Sequence, residues 1–236
     1  MKSARAKALK ELTLSKKKVE YLEYGGALTP KIQFNLFHLL MLLIILTVFC
    51  WSGVAPKDRP TWILEVSPVL VALILMITTF KSFPLTPMLY FLIMLHCVIL
   101  CVGGKYTYAE VPLGYWFQEA GGFSRNHYDR LGHLAQGFVP AILAREIFLR
   151  KKLVNGKVWV FIFAVSVCLA FSAFYEMLEW WTALLTGEAA TAFLGTQGDI
   201  WDTQWDMFCA LVGAVSAQLI LGVWHDLQIK KYKMIL

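Results

Sequence analysis

Six apolar runs of membrane-spanning length limit what this chain can become. The first, FNLFHLLMLLIILTVFCW at residues 34–51, carries no charge. A hydrocarbon core of roughly 30 Å needs about 20 helical residues at about 1.5 Å each. Runs of that scale recur at about Gln33–Trp51, Trp62–Phe80, Thr86–Gly103, Tyr128–Leu149, Val158–Ala183 and Thr203–Val223, the fourth being the least apolar. In lipid, a helix satisfies all its backbone polar groups within one segment, so helix is the expected state of each. With 58% hydrophobic and 16% charged residues and a mean hydropathy of +0.59, the 236-residue chain lies outside the soluble range. The expected fold is all-α, a polytopic membrane bundle of six transmembrane helices.

The division that follows is a basic tail at 1–32, a transmembrane domain at 33–224 and a short basic tail at 225–236. The first apolar run starts too late, and is too long, for a cleaved signal peptide. The first tail, with KSARAKALKELTLSKKK, reads either as a surface helix against anionic lipid or as a disordered anchor. Pro68 and Pro140 fall inside runs two and four, where they should kink the helix. Cys50, Cys97, Cys101, Cys168 and Cys209 all fall inside apolar runs and read as packing residues. Cys97 and Cys101 share a helix face, which leaves a redox pair as the alternative.

Lys and Arg are distributed asymmetrically. Eight lie in the N-terminal tail, one between runs two and three, five around the connection between runs four and five, and three after run six. The positive-inside rule assigns these to the cytoplasm, with both termini inside (N-in/C-in). The opposite side then receives most of the acids. The net charge of +6 therefore reflects topology and attraction to the cytoplasmic leaflet, and no nucleic-acid partner is expected.

Those acids are patterned. In GTQGDIWDTQWDMFCALVGA, Asp199, Asp202 and Asp206 follow i, i+3, i+7 spacing, one face of a helix if it begins near Gly198. Asp129, His133 and Gln136 repeat at i, i+4, i+7 where run four begins, and Glu176 and Glu179 lie one turn apart in FYEMLEWW. Run five ends, and runs four and six begin, on the same side. His133, Glu176 and Asp206 thus lie at one depth, roughly 7–10 Å inside their helix ends. Carboxylates in hydrocarbon cost several kcal/mol unless they face one another or water, so convergence on a common pocket is expected.

Mutual repulsion in such a pocket is relieved by shared protons, by Arg125 or Arg130, or by a bound cation. The expected metal ligands are Asp129, His133, Glu176, Glu179, Asp202 and Asp206, and the mixed oxygen and imidazole set suits Mg²⁺, Mn²⁺, Ca²⁺ or Zn²⁺. Catalytic proton transfer would fall to His133 and Glu176. Other roles compete. Asp129, Asp199 and Asp202 are also suited to capping helix N-termini, and His133 to helix packing. Trp180, Trp181, Trp201 and Trp205 read as an interfacial aromatic belt or as a lipid platform. Gly213, Ala214 and Ala217 favour close helix packing. The connection GGKYTYAEVPLGYWFQEAGGFSRNHYDRLGH reads either as a lid or as an amphipathic surface connector, and His127 and Tyr128 could join the site from it.

The blocks HYDRLGHLAQGFVPAILARE, FYEMLEWW and FLGTQGDIWDTQWDMFCALVGA resemble the signature blocks of YjdF-type bacterial inner-membrane proteins. That resemblance spans nearly all six runs and implies a multi-pass protein of the bacterial inner membrane, without implying a substrate. A looser similarity links the blocks to VanZ-like membrane proteins, where Asp129 with His133, Glu176 with Glu179, and Asp206 with Gly213 occupy matching positions. That likeness implies a role in lipoglycopeptide resistance, although two extra acids and an aromatic-rich third block depart from the pattern.

Three functions fit these residues. The first is an outward-facing pocket that binds a divalent cation or a polar lipid-linked ligand, with or without catalysis. The second is a cation- or proton-coupled transporter, weakened because the inner halves of the runs offer only Arg145, Glu146 and Gln218. The third is an accessory protein whose polar network serves packing alone. Membrane lipids are the expected partners, with homo-oligomerisation and the substrate left open.

Overall fold

The computed structural model describes residues 33–186 and 196–232, and among these all regular structure is helical. The helices are α1 (Leu36–Gly53), α2 (Arg59–Thr79), α3 (Pro87–Tyr106), α4 (Pro112–Gly121), α5 (Tyr128–Lys151), α6 (Lys157–Thr186) and α7 (Asp202–Lys231). The N-terminal tail, with its surface-helix reading, lies outside the described residues.

Local chemistry sets the helix ends. The Asn35 side chain accepts from the backbone N–H of His38 to start α1, and Asp58 accepts from Thr61 at 2.8 Å to start α2. Pro60, Pro87 and Pro112 occupy first turns, where a missing N–H is tolerated. Gly122, at φ +63°, closes α4 with its N–H on the carbonyls of Gln118 and Glu119. Pro68 and Pro140 lie within α2 and α5 as expected.

Five helices, α1, α2, α3, α6 and α7, are long and apolar enough to cross a membrane. The expectation of six spans therefore holds for five by composition. At 24 residues, or about 36 Å, α5 has the length. Asp129, Arg130, Arg145, Glu146, Arg150 and Lys151 make it too polar to qualify. It tolerates that polarity because α3, α6 and α7 pack around it. The sixth apolar run also extends further than expected: α7 continues eight residues beyond Val223, to Lys231.

The bundle has two halves. α1 and α2 pack on α3, α6 and α7 pack on α5, and α3 against α5 joins them. The core at this seam contains Val69, Leu89, Ile93, Cys97, Cys101, Ala141, Ile142, Cys168, Ala214 and Ala217. All five cysteines are free thiols, and Cys97 and Cys101 pack within this core.

The tightest approach is between α5 and α7. A Cβ on Gly137 would overlap the Ala210 carbonyl, and one on Gly213 would overlap the Leu134 carbonyl. Small residues let two backbones meet, which is how helices associate where lipid supplies no hydrophobic drive. This fixes the N-terminal halves of α5 and α7 beside one another, and the polar residues carried there become neighbours.

Candidate functional site

The first turns of α5 and α7 and the last turns of α6 meet at one end of the bundle. His133 is the centre. Its Nε2 lies 3.7 Å from Oδ1 of Asp129, one turn back on α5, and 3.6 Å from Oε1 of Glu176 on α6. Donor atoms of Asp129, His133 and Asp206 lie within 4.8 Å of one another, as do those of His133, Glu176 and Glu179. Side chains expected to converge from three helices are thus brought together. His133, Glu176 and Asp206 are nearly buried, at 5%, 7% and 3% exposure.

One of the six expected ligands, Asp202, differs in character from the rest. Asp202 is engaged by Arg125, with which it forms a short buried ion pair. Asp199, expected on the face of the last helix, lies before it, because α7 begins at Asp202. Its Oδ1 accepts from the N–H of Trp201 at 3.0 Å and its Oδ2 accepts from Arg130 Nη2 at 2.7 Å. The N–H of Trp201, followed by the two guanidinium groups, holds the Asp199 carboxyl below the usual carboxylate range. His127 lies in the same rim. Burial lowers its imidazole pKa, as do Arg130 and Arg125.

Arg125 and Arg130 therefore belong to a rim with Asp199 and Asp202. Beneath it, Asp129, Glu176, Glu179 and Asp206 have no ion pair to Lys or Arg among the described residues. Among the described residues, several buried atoms there also lack hydrogen-bond partners: Nδ1 of His133, Oε1 of Gln136, Oε1 of Glu176 and Oδ1 of Asp206. Native interiors rarely leave such groups unsatisfied, and each orphan calls for a water, an ion or a shared proton.

A cavity of about 60 Å³ opens beside the cluster, with room for one or two waters. Asp129, His133, Gln136 and Glu179 line it, joined by Glu65, His96, Tyr108 and Tyr175. These last four were not among the expected site residues. Glu65, nearly buried on α2, accepts from the Tyr175 hydroxyl at 2.8 Å, and Nε2 of His96 on α3 is buried without a hydrogen-bond partner among the described residues. The signal was available: a lone carboxylate in WILEVSPVL and a lone imidazole in MLHCVIL are ionisable groups inside apolar runs, which is informative by itself.

The opposite end of the bundle is also more polar than the sequence suggested. Glu146, fully buried on α5, accepts from Thr86 Oγ1 at 2.8 Å, Arg150 Nη1 at 2.7 Å and His225 Nε2 at 3.0 Å. Arg145 bonds Nδ1 of His225 at 2.8 Å and donates to Asp226 at 2.7 Å. Arg145 has only donors, so Nδ1 is the acceptor and the His225 proton is on Nε2. Every residue of this network makes at least one of these bonds, and Nε of Arg150 is its one buried side-chain atom without a hydrogen-bond partner among the described residues.

Chemically, the His133 cluster is a set of hard oxygen donors around one imidazole, able to hold a divalent cation or to share protons. Residues 37–227 match the family described as "Predicted membrane protein (DUF2238)". The chain is 49% identical to the inner membrane protein YjdF of Escherichia coli (strain K12) over 193 residues, covering 82% of this chain and 92% of that relative. No solved structure matches. The chain belongs to the DUF2238 family, and it is an integral, multi-pass protein of the inner membrane.

Proposed function

We propose that this member of the DUF2238 family holds a divalent cation in the His133 cluster, with Asp129, Glu176, Glu179 and Asp206 as its oxygen ligands. The observation that carries the reading is the mismatch between acids and bases. Arg125 and Arg130 are engaged by Asp199 and Asp202, while four carboxylates below them surround a single imidazole. Separations of 3.6 and 3.7 Å are too long for hydrogen bonds. They approach the ~3–3.5 Å between two donors on one small cation. The orphaned Oε1 of Glu176 and Oδ1 of Asp206 supply independent support, since an ion held by Nε2 of His133 would satisfy them. Asp202 is left out of the ligand set because Arg125 already neutralises it.

In this reading α5 is the sixth span, both termini are cytoplasmic, and the cluster faces the extracytoplasmic side. The basic ends of α5 and α7, with Arg150, Lys151, Lys230 and Lys231, support that orientation. An ion just beneath the outer surface would polarise a phosphoryl or carbonyl oxygen of a polar lipid-linked ligand. His133 and Glu176 are placed to move a proton there. The test is a metal inventory of the protein purified in detergent, set beside that of Asp206→Ala. About one equivalent of a divalent ion is expected in the wild type and a loss of most of it in the variant. A metal-free wild type that also fails to take up added Zn²⁺, Mn²⁺, Mg²⁺ or Ca²⁺ overturns the reading.

A further inference from the structure

The short helix α4 has a face that the bundle does not use. Leu113, Trp116, Phe117 and Ala120 follow i, i+3, i+4, i+7 spacing and all are exposed, Trp116 at 70% and Phe117 at 62%. The face turned to the protein is different. Gly114 is buried against the Asn126 side chain, where a Cβ would overlap it, and Gln118 lies one turn on. The helix is thus amphipathic in a reversed sense, with its small and polar side inward and its large apolar side outward.

Its height along the bundle is set by short tethers. Five residues separate Tyr106, the end of α3, from Pro112, so α4 starts at most about 22 Å from the end of a membrane span. Asn126 Nδ2 donates to the Val111 carbonyl at 3.0 Å, and Oδ1 of the same side chain accepts from Tyr128 N–H at the start of α5. Tyr128 in turn donates its hydroxyl to the Ile99 carbonyl on α3. Tyr108, Val111 and Tyr128 form a small buried core beneath. The helix is strapped across the end of α3 and the start of α5, where the apolar run of α3 gives way to Lys105.

We propose that α4 is seated in the membrane–water interface, with Leu113, Trp116, Phe117 and Ala120 immersed at the boundary between phospholipid headgroups and acyl chains. The face is as exposed as apolar residues on the outside of the spans, such as Ile74 and Phe171, and Trp and Phe are residues that such a boundary favours. The consequence concerns the pocket. Asn126 exchanges two hydrogen bonds with Gln197, at 3.0 and 2.9 Å, and adjoins Arg125 in the rim. The lipid-seated helix therefore holds the rim of the His133 cluster within the headgroup layer. This seating does not depend on the cation reading.

The test uses the full chain in native membranes, with a benzophenone amino acid placed singly at 116, 117, 119 or 74. Ile74, exposed on α2, reports a lipid-facing span, and Glu119 reports the flank of α4 away from the apolar stripe. Irradiation followed by mass spectrometry should give phospholipid adducts at 116 and 117 with yields comparable to 74, and a loss of the lipid adduct at 119. Adducts to a second copy or to another protein at 116 and 117, or no lipid adduct there while 74 gives one, overturn the proposal. Should the probe at 116 prevent accumulation, 113 reports the same face.

Discussion

Nε2 of His133 lies 3.6 Å from Oε1 of Glu176, an imidazole of α5 against a carboxylate of α6 just beyond hydrogen-bond distance. If a cation belongs there, removing one charge should have opposite effects in its presence and absence. Glu176→Gln should raise the thermal midpoint of chelator-treated protein, because one source of like-charge repulsion is gone. It should also abolish the stabilisation that added metal gives the wild type. That stabilisation amounts to about 2.7 kcal/mol at one hundred times the dissociation constant. Melting curves in detergent, with and without chelator, check both arms.

The α5–α7 seam offers a sharper test of the fold. Gly137→Ala and Gly213→Ala each push a methyl group into a carbonyl of the facing helix. Overpacking of this kind costs about 1–3 kcal/mol, and here the obstacle is backbone, which yields poorly. On the same helix, a Cβ at Gly222 would meet only Nη2 of Arg145, at 4.0 Å. Gly222→Ala should therefore be neutral or stabilising by up to about 1 kcal/mol through helix propensity. Unfolding in mixed micelles should separate the three variants in that order.

How much of this was legible follows from what each feature depends on. The span positions were readable, since length and hydropathy are local properties of a run. So was the meeting of Asp129, His133, Glu176 and Asp206, because equal depth and shared helical faces restrict where costly carboxylates can point. The pairing of Arg125 with Asp202, 77 positions apart, was not: both residues carried the right chemistry, but only tertiary contact decides which acid a guanidinium neutralises. Glu65 and His96 were passed over because neither forms an i, i+4 pattern. Arg145 and Glu146 looked isolated for the same reason, since their partner His225 lies on a helix whose last eight residues exceeded the apolar run.

The Glu146 network should be the most sensitive point for stability. Glu146→Ala would leave Arg150 and His225 in the bundle without the carboxylate they share. Removing one partner of a buried pair costs about 3–5 kcal/mol, because the remaining charge is uncompensated. Glu146→Gln keeps the acceptor for Thr86 and should lose less. Equilibrium unfolding should rank wild type above Glu146→Gln and Glu146→Ala last, while metal uptake by the folded fraction stays unchanged.

At the rim, Asp199 gives a pH dependence whose sign is fixed. Its folded pKa lies below the ordinary value, through the Trp201 N–H and then Arg130 and Arg125. A group depressed on folding contributes stability that is fully present above its unfolded pKa and is lost as pH falls through the folded value. The stability difference between wild type and Asp199→Asn should therefore be constant from neutral pH down to the ordinary carboxylate range. It should then shrink as acid protonates the folded carboxyl. Arg130 is shared with this pair and lies over the Trp205 ring, 5.2 Å from its centroid. Salt should accordingly weaken the Asp199 contribution without erasing it. Paired melts of the two proteins across pH 3–7, at low and high ionic strength, measure the whole curve. A difference that grows toward acid would mean that Asp199 is not held by these donors.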